Sequence, residues 1–399
     1  MLGLGGLMRP WRSQSLLDIV LRARPRRPHA ARVRRRVRRL RAAIHAAPPG
    51  SDGRRRACDA LGLLLIQEGN CAAAECLLCR GGYRQRLSDA VIRYPLAAPR
   101  RGPPLPAHLA SVIDGALPPA VLAGLQRAFA PESAFWSEHG YRSGARSSPF
   151  FSYVHDLPSD ARTAADVHVA PRANACAKRG ATAFDRALSA LRDIAARAFP
   201  EVATATRAEW WAHCRPHATG HQLHFDSDNE GHTHGGARHP IASAVLYLSG
   251  DVGGPTLVTD QASTSTELAE QGWAVAPATN RLLVFDARYL HAVVPGRGPP
   301  PRQPRTGAQR KRTSLMVAFW REIRTRPAAE PGAARPFPRV ADGWPTLFDW
   351  DDDTAEAGNA APPRDPPPAA TWHVRPIWEP VGGKGDGRMP EYDECFQGF

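Results

Sequence analysis

Between positions 207 and 320 the apolar residues come in runs too short to be helices, and this restricts the fold more than any other feature of the chain. Ser243 to Leu248 (SAVLYL), Leu282 to Phe285 (LLVF), Tyr289 to Val294 (YLHAVV) and Thr313 to Trp320 (TSLMVAFW) are rich in β-formers and punctuated by Gly, Pro and Asp. Upstream the pattern differs. Leu109 to Phe129 starts as a short apolar strand, turns at Asp114-Gly115 and enters a helix after Pro118-Pro119, and a second helix is expected over Ala181 to Ala198. Helices followed by many short strands predict an α+β domain built on a β-sandwich or barrel. The longest apolar stretches are pieces such as Leu61 to Ile66 (LGLLLI), well short of the roughly 18 residues a membrane-spanning helix needs.

The formal charge of +14 would suggest a nucleic-acid or anionic-membrane binder if it were spread over the surface, but residues 1–56 alone hold sixteen Arg, no Lys and only two acids, Asp18 and Asp52. The rest of the chain is neutral, which excludes overall positive charge as the tool of the main domain. Within 1–56, read as an Arg-rich arm or targeting segment, Val33, Val37, Leu40 and Ile44 recur at helical spacing among arginines, predicting a basic amphipathic helix. Three uses fit it besides a solvated tail: a mitochondrial or plastid transit segment, a nuclear or RNA-binding patch, and a helix on anionic lipid. A secretory signal fits badly, since no continuous apolar region with a cleavage site follows the first charges.

Residues 57–94 read as two short antiparallel helices turning at Gly69-Asn70, similar to one tetratricopeptide-type hairpin; a single unit cannot form an array, so a helical cap is expected. Residues 95–107 read as a Pro-rich linker, 108–326 as the main domain, and 327–399 as a Pro-rich extension whose Trp344, Phe348, Trp350, Trp372 and Trp378 suggest an extended wrap anchored by aromatics. Seven cysteines, an odd number, favour a reducing compartment. Cys76 and Cys79 form a CxxC close to Cys71, but no second pair stands at ligand spacing, so buried structural thiols are expected rather than zinc.

The chemistry concentrates between Trp210 and Trp320. His213, His217, His221 and His224 follow helical spacing, but Pro216 and Gly220 argue against a helix and hence against a helical zinc face. The informative unit is His224-Phe225-Asp226. On a strand, residues i and i+2 share a face, so the tripeptide aims an imidazole and a carboxylate at one point. One further imidazole would complete a facial set of three ligands for a divalent iron. His291, in the apolar run YLHAVV, can supply it, although a histidine among such neighbours is also a natural core residue. Asp228, Glu230, His232 and His234 follow the HxD and are expected to form a solvated Gly-rich loop rather than a substrate contact. Phe150 to His155 reads as core packing rather than a substrate wall.

Taken in order, these residues resemble the iron(II)- and 2-oxoglutarate-dependent dioxygenases, in their prolyl 4-hydroxylase-like branch, over roughly residues 108–323. His224 and Asp226 match the family HxD, Gly253-Gly254-Pro255-Thr256 resembles its GGxT turn, Val275 to Phe285 looks like the strand before the distal histidine His291, and Arg312-Thr-Ser-Leu resembles the last strand. The resemblance implies a double-stranded β-helix (jelly-roll) core with flanking helices and an N-terminal helical segment. It implies iron(II) on His224, Asp226 and His291, with 2-oxoglutarate and O2 as co-substrates and L-ascorbate as a further cofactor of that branch. Arg312 would grip the distal carboxylate of 2-oxoglutarate through its planar fork, and Tyr247 would add a hydrogen bond, unless it is a core tyrosine with a satisfied hydroxyl. Oxidative decarboxylation to succinate and CO2 would be coupled to hydroxylation of a C–H bond, with a protein or peptide side chain of the prolyl type as substrate.

Two departures stand out. Residues 297–311 form a basic, Pro-rich insertion before Arg312, read as a surface loop, with Arg305 or Arg310 as the anchor only if the strand began earlier. Arg215 occupies a position where relatives often carry an aromatic, adding a second cation to the co-substrate pocket. A nucleic-acid demethylase of the same superfamily fits less well, because the second arginine of that branch is Ala318 here. From other classes, a non-catalytic jelly-roll scaffold and a zinc-binding interaction protein remain as alternatives.

Overall fold

The computed structural model describes residues 28–96, 103–138, 151–157, 182–228, 236–303, 307–326, 334–337, 348, 350, 370–383 and 391–398. They fall into two compact units. The smaller takes the chain up to residue 93 together with 379–386 and 390–398, and the larger takes most of the remainder from residue 94.

In the smaller unit, helix α1 (Pro28–Ala46) is the expected basic amphipathic helix, and it packs on α2 (Asp52–Gln67) through its apolar stripe, with Val37 buried. Ser51 caps α2 by accepting from the backbone N–H of Arg54, and Asn70 caps α3 (Cys71–Arg80) by accepting from that of Ala73. Between them Gly69, at φ +80°, makes the left-handed turn that reverses the chain, so the expected hairpin forms around Gly69-Asn70. It does not begin at residue 57: the expected boundary after 56 falls inside α2. A three-stranded sheet completes the unit, in which Gln85–Leu87 is flanked by Trp378–Pro380 and, in parallel register, by Cys395–Phe396. The buried thiols expected at the CxxC are not there. Cys76 and Cys79 are exposed because Ala73, Ala74 and Leu78 take the inward face of α3, while Cys71 is half-buried and donates to Asp89.

The larger unit is α+β, as the pattern predicted. Its elements are β1 (Ala110–Asp114), α4 (Pro119–Ala128), α5 (Ala134–Glu138), β2 (Tyr153–Asp156), α6 (Ala183–Ala198), β3 (Arg207–Pro216), β4 (His221–His224), β5 (Ala242–Tyr247), β6 (Thr256–Ala262), β7 (Gly272–Val275), β8 (Arg281–Phe285), β9 (Tyr289–Val293), β10 (Lys311–Trp320), β11 (Arg335–Pro336) and β12 (Thr371–Val374). Two sheets result, one of seven strands in the order β11-β2-β3-β10-β5-β8-β1 and one of five in the order β12-β7-β6-β9-β4. From β3 to β10 the chain moves back and forth between the sheets, visiting the seven-stranded one at β3, β5, β8 and β10 and the five-stranded one at β4, β6, β7 and β9. β6 and β7 have no counterpart among the apolar runs of the sequence, because Thr259, Asp260 and Gln261 and the brevity of GWAV hide them.

Alternation decides what each face of the large sheet carries. Trp210 and Ala212 of β3, Leu246 of β5, Leu282 and Val284 of β8, and Leu315, Val317 and Phe319 of β10 join one buried cluster with Phe184, Leu188 and Leu191 of α6, Leu125 of α4 and Phe129 just after it. Helix α6 is set in place by a reciprocal cap, Thr182 and Asp185 each bonding the other's backbone N–H. Phe151 and Tyr153 belong to this cluster, which makes the described part of the aromatic stretch core packing, as expected. The opposite face of the sheet carries Tyr247, Leu283 and Phe285, packed with Val258, Trp273 and Val275 of the small sheet. Leu282 to Phe285 is therefore apolar throughout because both of its faces are covered.

The C-terminal extension is built into the fold at the positions described. Phe348 sits in the helix-side core, Trp350 lies against Gly124 of α4, and β12 extends the five-stranded sheet with Trp372 buried; Trp344 lies outside the described residues. The end of the expected linker is likewise fixed, since the Trp273 indole donates to the carbonyl of Pro103.

Candidate metal centre

The inward face of the large sheet supplies most of the site. Trp211 and His213 of β3, Ser243, Val245 and Tyr247 of β5, and Arg312, Ser314 and Met316 of β10 line one narrow pocket of about 50 Å3, closed by His221 and His224 of β4 and His291 of β9. The residues of the large sheet are spread along the chain, yet the two-residue period turns each of them to the same side, while His221 and His224, three apart, both reach the pocket across an irregularity in the β4–β9 register. Register does the rest: Ser314 pairs with Tyr247, and His291 pairs with His224.

Three ligand atoms converge at this point. The Asp226 Oδ1 atom lies 3.5 Å from His224 Nε2 and 3.7 Å from His291 Nε2, and among the described residues this is the one group of three or more His, Cys, Asp or Glu side chains gathered closely enough to hold a metal ion. Each group is oriented from behind. The Nδ1–H of His224 donates to the carbonyl of Gln222 at 2.8 Å and that of His291 to the carbonyl of Tyr289 at 3.0 Å, which turns both Nε2 atoms inward. The Ser243 hydroxyl donates to Asp226 Oδ2 at 2.6 Å, which turns Oδ1 toward the imidazoles.

The electrostatics suit a cation. Burial by itself would raise the Asp226 pKa, but His291, His224 and the Ser243 hydroxyl outweigh it and hold the carboxyl well below the usual carboxylate range. Burial and the neighbouring His224 push His291 down to about 4, and burial with the same neighbour pushes His221 down to about 3. His213 falls well below its ordinary value for the same first reason, helped by His221, Arg215 and Arg312. Asp226 thus presents an anionic oxygen and His291 a neutral imidazole, the protonation states that metal ligation requires. At His224 burial is outweighed by the Asp226 carboxylate beside it, which raises the pKa above its ordinary value, so a metal ion would displace the proton that His224 favours. Two N ligands and one O ligand on one side leave the other coordination positions open, the arrangement associated with non-haem iron.

Arg312 is only 3% exposed, whereas the His224 side chain keeps about a third of its surface, so the pocket runs from an open metal end to a closed cationic end. The glycine turn makes this possible. Gly253, at φ +87°, lies against the Arg312 stem, where a Cβ would meet Arg312 Cδ, and a Cβ at Gly254 would fall on the carbonyl oxygen of Val294. The Tyr247 hydroxyl shares a 2.6 Å hydrogen bond with Thr256 at the start of β6. Arg310 is not among the residues lining this pocket and pairs with exposed Asp251 at 2.7 Å, and Arg305 lies outside the described residues. The insertion folds back on itself through an Arg302–Gln309 bridge. Arg215 pairs in register with Arg312 across β3 and β10 but is not among the residues lining the pocket.

The expected ligands and both expected co-substrate residues, His224, Asp226, His291, Arg312 and Tyr247, therefore line a single pocket. Asp228 departs from its expectation as a solvated loop residue. It is buried and bound by Arg238, whose Nε donates to it at 2.6 Å, so it pins the end of the loop after the HxD; Glu230, His232 and His234 lie outside the described residues. Reading the sequence missed Ser243 as a site residue, took Thr256 only as part of a turn, and set His213 and His221 aside together with the helical zinc face. The histidines carried a signal, being two residues apart from Trp211 and three from His224, but the register that folds β4 beside β9 was needed to interpret it.

On the side of His224 and Asp226 away from Arg312 opens a cleft of about 370 Å3, walled by Trp211, Trp320 and Ile323 with Arg324 and Arg326 along it. Buried Glu209 also lines it, accepting from Ser152 and from the Trp320 indole at 3.1 Å.

No protein-family model matches the chain, and no curated protein sequence matches it. Among solved structures it is similar to a prolyl-4-hydroxylase from Pseudomonas putida, with 21% identity over 54% of this chain and 89% of that one, at a TM-score of 0.30. It is also similar to EctD from S. alaskensis in its apoform, with 12% identity over 58% of this chain and 84% of that one, at a TM-score of 0.30. A third likeness is to HygX from Streptomyces hygroscopicus with nickel and 2-oxoglutarate bound, with 10% identity over 58% of this chain and 92% of that one, at a TM-score of 0.29.

Proposed function

We propose that the chain is an iron(II)- and 2-oxoglutarate-dependent dioxygenase that hydroxylates a C–H bond on a peptidyl side chain of the prolyl type, releasing succinate and CO2. The eight strands β3 to β10, four in each of two sheets, are read as a double-stranded β-helix. The observation that carries the proposal is the convergence of His224, Asp226, His291 and Arg312 on one pocket, with the three ligand atoms at its open end and the buried guanidinium at its closed end.

In this reading His224 Nε2, Asp226 Oδ1 and His291 Nε2 hold iron(II), which with 2-oxoglutarate and oxygen supplies the oxidising power for C–H hydroxylation. Arg312 receives the distal carboxylate of the co-substrate, and its guanidinium keeps its charge in the dry pocket where an ammonium would tend to lose it. The Tyr247–Thr256 hydroxyl pair stands on the adjoining strands as a further donor. His213 and His221, kept neutral, wall the pocket against water. The Trp-lined cleft of about 370 Å3 beside His224 and Asp226 is where an extended peptide segment would lay one side chain at the open coordination positions.

The decisive experiment is anaerobic addition of iron(II) and 2-oxoglutarate to the purified protein, reading the visible charge-transfer band of the chelate in wild type and in His224→Ala. The band is expected in wild type and lost in the variant. Its absence from wild-type protein that is folded and takes up metal would sink the proposal in favour of a scaffold or a zinc site. Succinate release stimulated by proline-containing peptides tests the substrate class.

A further inference from the structure

The smaller unit carries a strongly basic surface. Helix α1 holds seven arginines and no acid, and Arg35, Arg36, Arg38 and Arg39 are all exposed along it. Its apolar residues point the other way. Val33, Leu40 and Ile44 are half-buried and Val37 is buried, forming the stripe that packs on α2. Where α1, the start of α2 and the end of α3 meet, they enclose a groove of about 450 Å3, lined by Arg41, His45, Arg54, Arg55 and Arg80. One acid lines it, Asp59, which is buried and accepts a hydrogen bond from the Tyr83 hydroxyl at 2.8 Å. The groove and the ridge beside it thus carry a concentrated positive charge.

We propose that this surface binds nucleic acid through its phosphate backbone. Guanidinium forks match phosphate oxygens bidentately, and arginines repeated along a helix of 19 residues, about 28 Å, meet a ligand whose charges also repeat along a line. A single small anion has no use for a row of that length. Anionic lipid is the competing partner, and the packing disfavours it. A helix lying in a membrane interface needs its apolar face free to enter the acyl boundary, whereas here that face is spent on α2. Among the described residues the one large hydrophobic side chain that stands exposed, Leu96, belongs to the larger unit. The contacts involve no base edges, so binding is expected to be strongly salt-dependent and indifferent to sequence.

The test uses the full chain and two fluorescein-labelled probes of mixed sequence, a 20-nucleotide RNA and a DNA duplex, with anisotropy read between 50 and 300 mM salt. Binding to at least one probe is expected, with affinity falling steeply as salt rises, each phosphate neutralised adding about 0.7 to 0.9 to the log–log slope. Changing Arg35, Arg36, Arg38 and Arg39 together to Glu, and separately Arg54→Glu with Arg55→Glu, should each weaken binding at least 10-fold and flatten the slope, while lysine at the same positions retains most of it. Circular dichroism confirms that the variants keep their helices. Wild-type binding by both folded glutamate variants would overturn the proposal, placing any affinity in residues 1–27. So would failure to bind either probe at 100 mM salt, with or without sedimentation of the protein by phosphatidylserine vesicles.

Discussion

Replacing Ser243 by alanine should weaken metal binding by about 10- to 100-fold without unfolding the protein. The Ser243 hydroxyl is 2% exposed as a residue and donates to Asp226 Oδ2 at 2.6 Å, a short bond to a charged acceptor in a dry setting. Such bonds are worth about 1.5–3 kcal/mol, and each 1.4 kcal/mol is a factor of ten. Without the hydroxyl, Asp226 loses the contact that turns Oδ1 toward His224 and His291, and protons compete better for a carboxylate that Ser243 helps keep ionised. The assay is anaerobic calorimetric titration of apo-protein with iron(II), repeated with cobalt(II), alongside a thermal melt. Ser243→Thr retains the oxygen on a residue that suits a strand and should recover most of the affinity. If Ser243→Ala binds both metals within twofold of wild type, then the hydroxyl does not orient Asp226 and the assigned ligand atom is wrong.

Arg312→Ala should raise the 2-oxoglutarate concentration needed for half-maximal chelate band by at least 10-fold, with iron affinity little changed; an unaltered requirement would place the anchor elsewhere. Burial pushes the Glu209 carboxyl up to about 7 against an ordinary value of 4.5, so the folded state favours its protonated form. That contribution to stability is full below about pH 4.5 and lost as pH rises through 7, a loss on the order of 2 kcal/mol between pH 5 and pH 7. Urea denaturation of Glu209→Gln at the two pH values should show a correspondingly smaller difference, and an identical one would refute the assignment. Arg281 is fully buried and held bidentately by Asp114, at 2.6 and 3.0 Å. Asp114→Asn leaves that guanidinium facing a neutral amide and should cost about 2–3 kcal/mol in urea denaturation, less than for a fully buried pair because Asp114 is partly solvated. Metal affinity should not change.

Much of the site was legible in the sequence because its residues answer to local rules. His224 and Asp226 share a face by the period of a strand, His291 stands in an apolar run that could only be a buried strand, and the consecutive glycines at 253 and 254 mark a turn with no room for side chains. Ser243 was not legible, because its partner lies 17 residues away and is reached only when β5 of the large sheet comes to face the residues that follow β4 of the small one. Asp228 looked like a loop residue because nothing nearby announces Arg238 as its counter-charge. Cys76 and Cys79 misled in the opposite sense, since hydrophobic neighbours in a helix do not say which of its faces is covered.

By itself, then, the sequence determined the order of helices and short strands, the separation of charge from the candidate site residues, and the identity of the side chains whose chemistry suits iron and a dicarboxylate. Those are properties of composition and of periods only a few residues long. The tertiary structure alone decided that the strands divide between two sheets, that Arg312 closes the pocket His224 opens, and that the apolar stripe of α1 packs on α2 and leaves Arg35, Arg36, Arg38 and Arg39 exposed. These follow from which surfaces become buried against each other, and burial is settled between segments far apart in the chain.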